Sequence, residues 1–145
     1  MEIAKYEDIR IGQHAEYVRT VTSEDIEMFG QVSGDYNPLH FDEDWAKITM
    51  FKGRIAHGIL TATYVSTVIG MKLPGPGTIY ISQSMKFRRP VRIGDKITAR
   101  VEVIGKNSEK EFLTLKTVCI NQDDKVVLDG EAVVTMMRLD RMRNA

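Results

Sequence analysis

Between Ile55 and Met71 the chain carries no Asp, Glu, Lys or Arg, and shortly afterwards Pro74-Gly75-Pro76-Gly77 interrupts it. Proline and glycine in that order cannot continue a helix, so the spacing predicts a helix from near Gly58 to Gly70. The stretch falls short of the roughly 18 to 20 apolar residues that a bilayer demands. It also carries His57, Thr61, Thr63, Ser66 and Thr67, a polar load that a lipid-facing span rarely tolerates. A helix without charge on any face belongs at the centre of a protein core. Beyond Gly77 the chain alternates with the period of a strand. Ile79, Ile81, Met85 and Phe87 are interleaved with more polar residues, as are Ile97, Ala99, Val101 and Val103. Two further strands are expected near Phe112 to Ile120 and Val126 to Met137, with Asn121-Gln122-Asp123-Asp124 as the loop between them and turns at Gly94-Asp95 and Asn107-Ser108. Strands joined by short turns form an antiparallel sheet, and this one must cover the helix. The expected class is α+β, one domain over residues 1–145, with a long central helix wrapped by a curved antiparallel sheet. Such a sheet has open edges, which favours pairing of two chains.

Upstream of the helix, Val21-Thr22-Ser23-Glu24-Asp25-Ile26 has the form of a helix start. Thr22 caps, Asp25 answers from the third position, and Val21 packs on Ile26. Ser33-Gly34 stops that helix. In Asp35-Tyr36-Asn37-Pro38-Leu39-His40, Pro38 pushes Asn37 out of the helical region, so an ordered loop is expected, then a short helix from about Asp42 to Lys47.

The 20 basic and 20 acidic residues cancel. No chain-wide positive field exists to recruit nucleic acid or an anionic membrane. A lone Cys119 makes no internal disulfide and reads as a small buried hydrophobe in a reducing compartment. MEIAKYEDIR is charged throughout and lacks the apolar core of a secretory signal, so the expected location is cytoplasmic.

The Asp35 to His40 segment holds a carboxylate and an imidazole on a backbone stiffened by Pro38. Their unperturbed pKa values, about 4 and about 6.5, let one accept a proton while the other donates near neutrality. Asp and Asn also form turns, and His also satisfies buried backbone groups, so Asp-x-Asn-Pro alone reads as structural. The wider pattern changes the reading. Phe29-Gly30-Gln31-Val32-Ser33-Gly34-Asp35-Tyr36-Asn37-Pro38-Leu39-His40, with Ala46 beyond it, resembles without a gap the hydratase-2 motif of the MaoC-like (R)-specific enoyl-CoA hydratases. The likeness continues through Ala56-His57-Gly58-Ile59-Leu60, Pro74-Gly75-Pro76-Gly77 and Pro90-Val91-Arg92-Ile93-Gly94-Asp95.

That resemblance implies a hot-dog fold and a homodimer or higher homo-oligomer with its site at the interface. It implies reversible hydration of a trans-2-enoyl-CoA or acyl carrier protein thioester, with no cofactor. It makes Asp35 and His40 the catalytic pair. It also puts the substrate contact for the thioester oxygen at Gly58, where a helix N-terminus offers free N–H groups, although a glycine there also serves packing. Ser66 is implied as a substrate-binding residue; a mid-helix serine can equally bond the Ala62 carbonyl. Tyr64, Val68, Met71 and Val133 are candidates for the pocket wall.

His57 reads as a satisfied structural histidine next to the site, since one acid/base pair already accounts for the chemistry, and His14 as an edge-strand residue; three histidines without ligand spacing suggest no metal site. Lys86, Arg88, Arg89 and Arg92 form either a solvated basic face or a seat for coenzyme A phosphates. Two rivals share the expected fold. One is an acyl-CoA thioesterase, against which the Asp35 to His40 segment argues. The other is a non-catalytic acyl-CoA-binding module.

Overall fold

A computed structural model describes residues 2–139. Five antiparallel strands form one sheet in the order β1-β3-β4-β5-β2. They are β1 His14–Thr20, β2 Thr78–Phe87, β3 Lys96–Asn107, β4 Phe112–Ile120 and β5 Val126–Met136. The central helix, α4 (Gly58–Met71), packs against all five strands. This is the hot-dog arrangement expected from the patterning. Alternation carries the core directly: Ile97, Ala99, Val101 and Val103 of β3 are fully buried, as are Leu113, Leu115 and Cys119 of β4. The Asn121–Asp124 loop is also as expected. The Asn121 side-chain oxygen accepts from the N–H groups of Asp123 (2.9 Å) and Lys125 (3.1 Å).

Helix α1 (Ser23–Ser33) begins with the predicted capping box. Thr22 Oγ1 accepts from the Asp25 N–H at 3.1 Å, and Asp25 Oδ2 accepts from the Thr22 N–H at 3.2 Å. Val21 and Ile26 are both buried below it. Gly34 ends the helix with φ 78°, a left-handed conformation that suits a residue without Cβ.

Two expectations need correction. The segment after Gly34 is not a loop as far as His40: Pro38–Phe41 is a short helix, α2. Asn37 caps it by accepting from the Leu39 N–H at 3.1 Å, and Pro38 stands in its first turn, where its missing N–H costs nothing. The expected helix α3 follows as Glu43–Lys47, capped by Asp42. Nor is α4 buried all round. Leu60, Tyr64, Val65, Val68 and Ile69 face the sheet, whereas Ile59, Thr63, Ser66, Gly70 and Met71 are exposed. The sheet curls around one side of the helix only, so the lack of charge on the other face serves something besides the core of a single chain. Among the described residues, no helix is long and apolar enough to cross a membrane.

Candidate active site

The site lies where α2 meets the start of α4. Being helical, Pro38–Phe41 turns His40 inward, and its side chain is buried. His40 Nδ1 lies 2.8 Å from the Ile55 carbonyl oxygen. A carbonyl only accepts, so Nδ1 carries the hydrogen and the neutral ring keeps a lone pair on Nε2. Burial pulls the His40 pKa below the ordinary imidazole value, and the charge His57 can carry pulls the same way; the Ile55 carbonyl and Asp35 oppose them.

Asp35 sits on the exposed turn between α1 and α2. Its Oδ1 accepts from the Asn37 N–H at 3.1 Å, and its own N–H donates to Ser33 Oγ at 3.1 Å. The fold brings a third residue to the pair. Asp35, His40 and His57 each place a side-chain ligand atom so that all three lie within 4.8 Å of one another. Sequence spacing alone concealed this cluster. Each histidine gives one ring nitrogen to a main-chain oxygen, and the two rings stack with centroids 4.0 Å apart and planes tilted by 32°.

Beside His40 opens a cavity of about 340 Å³, mostly apolar, with Ile55, Ala56, Gly58, Ile59, Phe87 and Val91 in its wall. Helix α4 begins here without a side-chain cap, so its first N–H groups are available to a ligand at the positive end of the helix dipole. Gly58 is where the sequence placed it, at the helix start and on the cavity. Its lack of a side chain has a second cause: a Cβ there would stand 2.7 Å from the Phe87 ring. Ser66 lies two turns further along α4, exposed, and does not line this cavity. The buried serine bonded to Ala62 is therefore not what the fold contains. Of the four proposed wall residues, Val68 is in the core and Met71 is exposed. Tyr64 lines a separate cavity, between α1 and α4, with Met28, Phe29 and Thr63.

The basic run splits. Arg88 and Arg89 reach the mouth of the His40 cavity. Arg88 is paired with Asp129 at 3.2 Å, while Arg89 donates to the Val126 carbonyl at 2.7 Å and Arg92 to the Phe51 carbonyl at 2.6 Å. Arg89 brings to this rim a guanidinium with no carboxylate hydrogen-bond partner among the described residues.

Residues 8–123 match the family described as "MaoC like domain". The chain is 51% identical over 129 residues to the (R)-specific enoyl-CoA hydratase of Rhodospirillum rubrum, covering 89% of each sequence. It is 42% identical to the 3-hydroxybutyryl-CoA dehydratase of Methylorubrum extorquens, over 92% of this chain and 85% of that one. Among solved structures, the (R)-hydratase from A. caviae superposes with a TM-score of 0.87 at 37% identity, covering 90% of this chain and 99% of the other.

Proposed function

The chain belongs to the MaoC-like domain family, and from that membership we propose that it is an (R)-specific enoyl-CoA hydratase. It adds water to a trans-2-enoyl-CoA to give the (R)-3-hydroxyacyl-CoA, and it speeds the reverse dehydration equally. The observation that carries the reading is the convergence of Asp35 and His40 beside a cavity that ends on the uncapped start of α4.

The chemistry comes from those positions. A water between the Asp35 carboxylate and His40 Nε2 donates one hydrogen to each, which leaves an oxygen lone pair free to attack C3. As that C–O bond forms, the C2=C3 electron pair moves toward the thioester oxygen. The negative charge developing there is met by the N–H groups at Gly58 and by the α4 dipole. The pair takes a proton from the attacking water and returns one to C2, so the elements of water are added on one face and the pair is restored. The two groups act as a unit, and the proton is assigned to the pair. Ser66 is kept as a substrate-side residue through its place on the exposed face of α4.

The same reading takes residues 1–145 as one hydratase domain working in the cytoplasm, where a buried Cys119, its thiol pushed up to about 12 by burial, stays reduced. It takes two chains as the working unit. Strand β2 is a sheet edge that exposes Ile79, Tyr80, Ile81 and Phe87, and α4 exposes its uncharged face beside it.

The test is crotonyl-CoA. Hydration removes the conjugated enoyl absorbance, and a dehydrogenase selective for (R)-3-hydroxyacyl-CoA reports the product's hand. The expected product is (R)-3-hydroxybutyryl-CoA. Predominant (S) product, or thiol release without hydration, overturns the reading.

A further inference from the structure

His57 is 2% exposed, and its ring meets both members of the proposed acid/base pair. Its Nε2 lies 3.0 Å from the main-chain oxygen of Asp35, so Nε2 carries a hydrogen and donates it. The face of the ring stacks on His40, with centroids 4.0 Å apart. The edges of Phe29 and Phe41 hold it from the sides at 4.7 and 5.6 Å. In the chain it stands directly before Gly58, as the N-cap residue of α4.

The bond to Asp35 differs in kind from the others that hold that residue. The Asp35 N–H bond to Ser33 Oγ and the Asn37 N–H bond to Asp35 Oδ1 each span two residues. They shape the turn but do not fasten it to anything. The His57 bond spans 22 residues and ties the turn to the start of the central helix. Asp35 is exposed, so without that tie its position relative to His40 rests on a local turn alone. The ring also packs against His40, centroid to centroid at 4.0 Å, and limits how far the imidazole can tilt.

Nδ1 of His57 is buried with no hydrogen-bond partner, as is Thr61 Oγ1 one turn along α4. A buried polar atom left unpaired is costly, so a histidine kept only for packing would give way to a phenylalanine at that site.

We propose that His57 is a positioning residue of the acid/base pair: its Nε2–H fixes Asp35 through the main chain while its ring fixes the plane of His40. This rests on the hydratase reading above. Misplacement of a reacting group by about 1 Å can cost about a hundredfold in rate, so one clamp acting on both groups is worth testing directly.

Two variants separate the two contacts. His57→Phe keeps a ring against His40 and loses the donor; His57→Gln keeps a donor within reach of the Asp35 carbonyl and loses the ring. With crotonyl-CoA, His57→Phe is expected to lower kcat at least about tenfold while KM stays within about threefold. His57→Gln regains the Asp35 bond but not the ring against His40, so its kcat should still fall at least about fivefold. Nitrogen-15 NMR of the wild type at pH 8 should show His57 protonated at Nε2 and bare at Nδ1. The proposal is overturned if folded His57→Phe or folded His57→Gln turns over within threefold of wild type, or if His57 carries its hydrogen on Nδ1. The last outcome decides the matter even if the phenylalanine variant does not fold. A wild-type protein inactive on crotonyl-CoA would instead overturn the hydratase reading, and this inference with it.

Discussion

His40 Nδ1 donates to the Ile55 carbonyl at 2.8 Å, and that bond decides which side of the ring can act as a base. Only Nε2 is left to take a proton. Burial, the first cause of the lowered His40 pKa, disfavours the imidazolium, and a base must be neutral to work. Lowering the pKa therefore keeps His40 competent into more acidic solution. The acid limb of kcat/KM for crotonyl-CoA should be centred below pH 6.5. An acid limb centred above 6.5 would mean that the group being titrated is not this histidine.

Asp35→Asn and His40→Gln each remove proton exchange while nearly keeping size. A positioned acid or base contributes roughly 10² to 10⁴ in rate, so each variant should lose at least about a hundredfold in kcat with little change in KM. Both act on one water, so the double variant should cost far less than the product of the single losses. Melting temperatures measured alongside guard against a misfolded turn. Stable variants within a fewfold of wild type would remove the pair from the mechanism.

Replacing Gly58 tests the helix start. Any side chain there meets the Phe87 ring, since even a Cβ would stand 2.7 Å from it. Phe87 is half-exposed and stands in the cavity wall, so Gly58→Ala should fold by displacing the ring and lose roughly tenfold in kcat as that ring crowds the cavity. Gly58→Val should lose more. Circular dichroism and kcat for Gly58→Ala paired with Phe87→Ala give the check: the second change should restore part of the activity if the ring is the obstacle.

Thr22→Ala removes the hydroxyl that caps α1. Loss of such a cap costs about 1 kcal/mol, which corresponds to roughly 3 to 5 °C in melting temperature for a chain of this size. The cap sits at the end of α1 far from Asp35, so kcat should stay within about twofold. Thermal unfolding and crotonyl-CoA turnover measured on the same preparation decide it.

Association of chains is tested by mass in solution. The edge strand β2 and the uncharged face of α4 together predict a particle of at least twice 16.5 kDa. Ile79→Lys, on the exposed edge, should shift it toward the single chain and lower activity with it. A wild type that is monomeric and fully active would show that one chain completes the site.

The fold could be read along the chain because its signals are local and periodic. The β3 alternation from Ile97 to Val103 and the capping box at Thr22 and Asp25 each lie within a few residues. Features set by distant parts of the chain escaped. Asn37-Pro38 is both a turn signal and a cap followed by a first-turn proline, and four residues of α2 carry too little periodicity to choose between them. The lack of charge in α4 implied burial on every side, but a sheet can wrap only one, which left Ser66 and Met71 outside. His57 had no local mark beyond its place before Gly58. Its partners stand 22 and 17 positions away, and only the fold sets them against its ring.

The left-handed turn at Gly34 has one more consequence. Of the run from Phe29 to His40, Gly34 answers to backbone geometry and Asn37 and Pro38 to the start of a short helix, while Asp35 and His40 are the two to which the proposed mechanism gives the proton transfers. A protein that kept the first group and changed the second would trace the same path in space, present the same cavity, and still be matched to the same kin by its sequence. Likeness in this stretch is thus mainly a record of shape, and on the proposed mechanism two letters within it separate an enzyme from its own silent copy.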